Sequence, residues 1–210
     1  RCACTVENDP LEIGILRADG MMLDIVTAVH DKYADKGIEE SFLSGTRNFR
    51  KDIYSEYKAN RTKPAPKHLQ GIREFLISEW GAEVSDGIEA DDAIGIASFA
   101  NPPNSTVICS IDKDFKQLGG QFYDFVKGEF YTISEVEALR CFYKQLLLGD
   151  KSDNIPGFDG KPRQSPTNAI KNWYAGLNEI EDEWTMWSLV TEAFEIGGGD
   201  LDLTASLVYI

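Results

Sequence analysis

A chain of 210 residues, 42% hydrophobic and 11% aromatic, holds enough apolar material for one large domain or a domain with a small appendage, which excludes a disordered or fibrous protein. No apolar run nears the roughly 20 residues of a membrane span and the opening Arg1–Pro10 has no apolar h-region, so a cytoplasmic protein without membrane contact is expected. The formal charge of −14, from 35 acidic against 21 basic residues, argues against a nucleic-acid partner only if it is evenly spread, and the four cysteines, with no C-x-x-C pair, offer neither a zinc site nor a disulfide framework.

Met21–Gly37 spaces Met22, Ile25, Val26 and Val29 at helical intervals and ends in His30, Lys32 and Gly37, which predicts a helix with a stop. Ile38–Gly45 is a short strand candidate. Lys67–Gly81 carries Leu69, Ile72, Phe75, Leu76 and Ile77 and closes on glycine, a second helix. Ala82–Gly87 reads as a strand, Glu89–Ala100 as a helix, and Ser105–Asp112 as a β-prone run with an acidic tip. Strands alternating with helices predict a parallel α/β sheet. Beyond Gly149 the pattern changes to short helices and Gly/Pro-rich turns, predicting a helical C-terminal region. The expected division is an α/β core over 1–140, including a basic segment 46–73, and a helical region over 141–210.

Charge is uneven along this scaffold. Between Thr46 and Arg73 stand eight basic residues (Arg47, Arg50, Lys51, Lys58, Arg61, Lys63, Lys67 and Arg73) against two acids. The acids gather elsewhere, after strands: Glu89, Asp91 and Asp92 follow one, and Asp112 and Asp114 follow another, pointing the same way if the backbone stays extended. Asp150 and Asp153 are three apart and would share one face of a helical turn. In open α/β sheets ligands sit beyond the carboxyl ends of strands. Seven carboxylates from three segments suit a hard divalent ion such as Mg²⁺ or Mn²⁺. Each segment also has a plain alternative: first-turn acids that cap a helix, Asp112 as a cap for Lys113–Leu118, and Asp150 with Asp153 in a polar turn. All three in this order are much harder to explain that way. His30 and His68 read as surface residues, the four tryptophans as core or domain contacts, and Cys109 and Cys141 as thiols packed like small hydrophobes.

The stretches GIEADDAIG (87–95), CSIDKDFKQL (109–118) and LLLGDKSDNIPG (146–157) resemble the three acidic motifs of the flap endonuclease and 5′→3′ exonuclease family, which includes the 5′ nuclease domain of bacterial DNA polymerase I. NFRKDIYSEYKANR (48–61) adds a fourth match, most like the exonucleases of tailed phages, so a phage origin is expected. The resemblance runs from about Met21 to Pro156. It implies a PIN-like parallel α/β core, a helical arch passed by single-stranded 5′ ends, and a helix–three-turn–helix element on duplex DNA. It also implies two-metal phosphodiester hydrolysis at 5′ ends or flaps. Glu89, Asp91, Asp92 and Asp112 would then hold a first divalent ion, and Asp114, Asp150 and Asp153 would act on a second. Lys58 and Arg61 would touch the scissile phosphate, Tyr57 would stack on an unpaired base, and Arg47, Arg50, Lys161 and Arg163 would meet the DNA backbone. A monomer is expected.

Three departures from the family pattern stand out. Arg1–Cys4 resembles the segment just after a first strand that ends in a metal-ligand Asp, so an upstream strand is expected, and because Ile210 stops within an apolar run a short C-terminal extension is expected as well. Gly45 stands where many relatives carry an Asp. FDGKPRQSPTNA (158–169) replaces an expected glycine turn, which speaks against a monovalent K⁺ site there. A PIN-type ribonuclease and a catalytically degenerate DNA-junction binder are the alternatives.

Overall fold

The structure, a computed structural model, describes residues 9–34, 37 and 39–210. Cys2 and Cys4, and the Arg1–Cys4 stretch assigned a place after an upstream strand, lie outside the described residues. The chain forms two compact units: Arg1–Arg47, Lys63–Ile111 and Phe122–Phe130 in the first, and Asn48–Thr62, Asp112–Gln121 and Tyr131–Ile210 in the second.

The first unit begins with α1 (Leu11–Tyr33), which starts ten residues before the predicted helix. Gly14 and Gly20 interrupt the sequence signal there, since glycine in a helix interior costs about 1 kcal/mol. Leu11, Ile15 and Ala18 nevertheless continue one apolar stripe, and it packs on Ile72 and Leu76 of α3 (Leu69–Trp80). Tertiary burial outweighs the propensity loss. Helix α3 stops at Gly81 as predicted, its left-handed φ of 63° letting the Gly81 N–H reach Leu76 O. Between these helices lies β1 (Phe42–Ser44), and after them β2 (Glu83–Ser85). The two pair in parallel, Phe42 opposite Glu83 and Ser44 opposite Ser85. The parallel pairing inferred from strand–helix alternation is therefore present.

Past the paired strands, the Gly45 N–H donates to Ser85 O at 2.9 Å, and a Cβ on Gly45 would overlap that carbonyl oxygen. Glycine at this position is a requirement of the β1–β2 approach. Helix α4 (Ala90–Ala100) packs on both strands. A second sheet orders β3 (Val107–Cys109), β4 (Gly120–Asp124) and β5 (Glu129–Ile133). The four-residue link from Asp124 to Glu129 is too short for a crossover, so β4 and β5 form a hairpin that the sequence reading missed. Phe130 stacks on Tyr123 with centroids 4.4 Å apart and meets the edge of Tyr33 at 5.9 Å.

The second unit is helical: α2 (Phe49–Ile53), α5 (Glu135–Leu148), α6 (Asn168–Asn178), α7 (Glu183–Gly197) and α8 (Leu201–Val208). Each opens on a side-chain cap, which is why the region breaks into short helices. Ser134 caps Glu137 N–H within a reciprocal box, Thr167 caps Ile170, Asp182 caps Thr185, and Asp200 caps Leu203. The apolar faces of α5 to α8 close one core in which Leu146, Leu147, Ile170, Leu177, Met186 and Val190 are wholly buried. Tryptophan use corrects one expectation: Trp173 and Trp187 pack on this core, but Trp184 is 77% exposed. Among the described residues no helix is long and apolar enough to cross a membrane.

Candidate active site

In the first unit the acids Glu89, Asp91 and Asp92 open α4 at the carboxyl ends of β1 and β2. The position is fixed by hydroxyls: Ser44 Oγ accepts the Ala90 N–H at 3.0 Å, and Ser85 Oγ donates to Ile88 O at 3.2 Å. Asp92, only 7% exposed, accepts the Glu89 N–H at 2.8 Å, one half of a capping box with Glu89. Capping therefore accounts for Asp92 and Glu89 locally, as the plain reading allowed. Arg47, at the edge of this unit, lies 3.7 Å from Asp86 and is largely exposed.

In the second unit four carboxylates share one electrostatic neighbourhood. Asp112 caps the 3₁₀ helix Lys113–Leu118, its Oδ1 accepting the Asp114 N–H at 3.0 Å. The extended backbone thus ends at Asp112, and the pair is joined by capping instead of strand alternation. Asp114 is pushed up to about 6, by burial first, then by the charge of Asp112, with Lys113 opposing and Asp150 and Asp153 adding to the rise. Asp150 and Asp153 stand in a turn, not on a helix: Asp150 Oδ1 accepts the N–H groups of Ser152 at 2.5 Å and Asp153 at 3.1 Å. Asp150 and Ile155 exchange backbone bonds of 2.9 and 2.8 Å, closing the loop. Gly149 makes the closure possible, because its φ is 68° and a Cβ would overlap Ile155 O.

The basic segment folds onto this loop. Lys58 occupies the left-handed region at φ 57°, unusual for a long side chain, and its N–H donates to Asp153 O at 2.8 Å. Its Nζ lies 3.4 Å from Asp153 Oδ2, while Arg61 pairs with Asp153 Oδ1. The Tyr57 hydroxyl donates to Asp153 Oδ2 at 3.4 Å. Asp153 is thus met by three neighbours from one five-residue stretch. Two residues that sequence reading missed complete the junction: Asn60 Nδ2 donates to Lys151 O at 2.6 Å, and Asn154 Nδ2 to Glu56 O at 2.9 Å. Asn154 has φ 59°, and the left-handed preference of asparagine after Ser-Asp was the signal available for it.

Two of the expected DNA contacts are turned inward in this structure. Tyr57 is 2% exposed and belongs to the helical core, so its ring face is not open to a base. Arg50 is 3% exposed, and its guanidinium donates to Leu207 O at 2.9 Å and Tyr209 O at 2.6 Å, capping the carbonyl end of α8. Of the other two, Lys161 is exposed, whereas Arg163 pairs with Asp159 inside the 149–167 connection.

A family model for the 5′-3′ exonuclease N-terminal, resolvase-like domain matches residues 17–142. The chain belongs to the 5′-3′ exonuclease family. It is 29% identical over 177 residues to a 5′-3′ exonuclease of Bacillus subtilis, covering 74% of this chain and 58% of that one. Against a 5′-3′ exonuclease of Buchnera aphidicola subsp. Schizaphis graminum it is 31% identical over 153 residues, 66% of this chain and 53% of that one. A DNA polymerase I of Caldicellulosiruptor bescii is 35% identical over 156 residues, 64% of this chain and 18% of the polymerase. This exonuclease-family chain therefore spans about half the length of the curated exonucleases it matches. Among solved structures it resembles T5 5′-exonuclease with bound divalent metal ions (zinc), at TM-score 0.58 and 17% identity over 91% of this chain and 80% of that one. That likeness shows the fold.

The donor chemistry of the second unit suits a hard divalent ion: Asp112, Asp114, Asp150 and Asp153 offer only oxygen, and Asp114, raised by burial first and then by its carboxylate neighbours, is a place where a cation would be favoured. Among the described residues, no three His, Cys, Asp or Glu side chains already form a group that could hold a metal ion. Asp150 is occupied with loop N–H groups and Asp153 with Lys58 and Arg61, so an ion held by these two carboxylates would have to displace those partners.

Proposed function

We propose that the chain hydrolyses phosphodiester bonds of DNA at 5′ ends or flaps, as a monomer, with two divalent ions, Mg²⁺ or Mn²⁺. The observation that carries the reading is the neighbourhood of Asp112, Asp114, Asp150 and Asp153 beside Lys58 and Arg61, in a chain of the 5′-3′ exonuclease family. The ions would supply an activated water and neutralise charge on the phosphate. Asp114, Asp150 and Asp153 are the proposed ligands for one; Asp112, with Glu89, Asp91 and Asp92 on the strength of their motif, for the other. Lys58 and Arg61 bind the scissile phosphate, for which the Asp153 carboxylate is a stand-in: both are planar or tetrahedral oxyanions met by the same two cations. The left-handed backbone of Lys58 is the kind of strain that is retained where a side chain must be aimed. Arg47 and Lys161 are the proposed backbone contacts of the duplex, with the 149–167 connection as the duplex-binding element, and Arg163 positions its loop through Asp159. The test is incubation with 5′-labelled flap, nicked and blunt duplexes, and an RNA-strand analogue, in Mg²⁺, Mn²⁺ or EDTA. Metal-dependent release of 5′ fragments from DNA is expected. Intact DNA in every metal, or cleavage of the RNA strand alone, would overturn the reading.

A further inference from the structure

Helix α7 begins Glu183-Trp184-Thr185-Met186-Trp187, and the two indoles, three residues apart, lie on one side of the helix. With Phe142 and Tyr143 of α5 and the Glu183 carboxylate they line a surface cavity of about 370 Å³ in the second unit. The rings meet at angles: Phe142 and Tyr143 lie 5.3 Å apart and tilted by 60°, Tyr143 and Trp187 6.4 Å apart and again tilted by 60°. Tyr143 is 3% exposed and backs the cavity, while the half-buried Phe142 and Trp187 and the open Trp184 put aromatic faces beside one carboxylate, an arrangement that holds an organic cation through ring quadrupoles and formal charge together. None of these residues takes part in the proposed nuclease site.

We propose that this cavity binds an arginine side chain carried by a basic peptide segment of a partner protein. A guanidinium is flat, weakly hydrated and able to lie on an indole while donating two parallel hydrogen bonds to a carboxylate, which an ammonium cannot do. Trp184, 77% exposed, offers a large open ring for that stacking. The Tyr143 hydroxyl lies beside the Glu183 carboxylate; burial first, then the charge and hydrogen bond of Glu183, push that phenol up to about 12, so it keeps its proton next to the carboxylate. A carboxylate keeps further lone pairs for a second partner. The surrounding charge favours a basic segment: Glu179, Glu181 and Asp182 accompany Glu183, and the Thr185 N–H and hydroxyl hold Asp182 below the usual carboxylate range. Nearby cations are directed elsewhere, Arg140 to the carbonyls of Leu177 and Ile180 and Lys144 to Asn178.

The experiment titrates the full chain with the peptide acetyl-Lys-Arg-Gly-Lys-amide, with the same peptide carrying citrulline for arginine, and with Nα-acetyl-arginine methylamide, following tryptophan fluorescence. Saturable quenching by the arginine peptide is expected, with affinity about tenfold weaker for citrulline, which is neutral but the same shape. Trp184→Ala and Glu183→Gln should each abolish the quenching while melting temperature and DNA cleavage stay unchanged, since Trp184 is exposed and Gln keeps an acceptor for Tyr143. Equal binding of the citrulline peptide, or no saturation up to about 10 mM, would overturn the site. Binding of the free arginine derivative as tight as the peptide would overturn the peptide partner and leave a small guanidinium as ligand.

Discussion

Replacing Arg50 with alanine should destabilise the second unit without weakening the salt dependence of DNA binding. Two charge-assisted hydrogen bonds, to Leu207 O at 2.9 Å and Tyr209 O at 2.6 Å, would be lost from the end of α8. Bonds to charged groups contribute roughly 1.5–3 kcal/mol each, and a buried carbonyl left without a partner costs about 1–3 kcal/mol. Leu207 is 2% exposed and Tyr209 61% exposed, so water rescues the second carbonyl but not the first. One full loss and one partial loss give about 2–4 kcal/mol, out of a typical 5–15 kcal/mol for a native protein. For a chain of this size that is a fall in melting temperature of about 5–15 °C. Arg50→Lys should suffer most of the same loss, because a single ammonium cannot bridge two carbonyls as the guanidinium fork does. Differential scanning calorimetry measures the first quantity, and the slope of DNA affinity against salt the second. An unchanged midpoint together with a slope reduced by about one charge would refute the reasoning and return Arg50 to the DNA backbone.

Four further outcomes rest on local geometry. Gly45→Asp should not add a metal ligand but should destabilise the β1–β2 pairing by about 1–3 kcal/mol, because its Cβ meets the Ser85 carbonyl; a thermal melt reads this directly. Cys109, pushed up to about 11 by burial, should be almost entirely thiol at pH 8 and react with iodoacetamide orders of magnitude more slowly in the native protein than in urea, as peptide mapping would show. Lys58→Asn should fold as well as the parent, since asparagine tolerates φ 57°, yet slow single-turnover cleavage by about a hundredfold. Glu137 and Asp182 are both held below their ordinary values by cap N–H groups, so their stabilisation is present above the ordinary carboxylate range and is lost as pH falls through and below it; the Ser134→Ala melt should approach the parent's in acid yet stay below it, since the Ser134 Oγ cap on the Glu137 N–H does not titrate.

Much of the first unit was legible because its signals are local. Gly81 announced the end of α3, and the short strand candidates holding Phe42–Ser44, Glu83–Ser85 and Val107–Cys109 became strands. The first half of α1 was not legible, since its stripe is recognisable only once Ile72 and Leu76 are seen to cover it. Caps were read correctly as the plain alternative at Asp112 and at Glu89 with Asp92. The inward placement of Arg50 and Tyr57 was not legible for one shared reason. A run of basic and aromatic residues predicts charge and size, but only the long-range partners at Leu207, Tyr209 and Asp153 decide which side chains turn inward. The grip of Lys58 and Arg61 on Asp153 was equally out of reach, since the partners are over ninety residues apart.

The most direct measurement is single-turnover cleavage of a 5′-labelled flap duplex in Mg²⁺ by the parent and by Asp114→Asn. Asparagine keeps the Asp114 N–H bond to Asp112 and the side-chain volume, and removes only the charge at the centre of the four-carboxylate neighbourhood. The account predicts metal-dependent cleavage by the parent, a variant slowed by at least about a hundredfold, and an unchanged or raised melting temperature for the variant in EDTA, because one source of repulsion is gone. Cleavage by the variant within about a factor of two of the parent, at equal folding, would contradict a role for these carboxylates in the reaction.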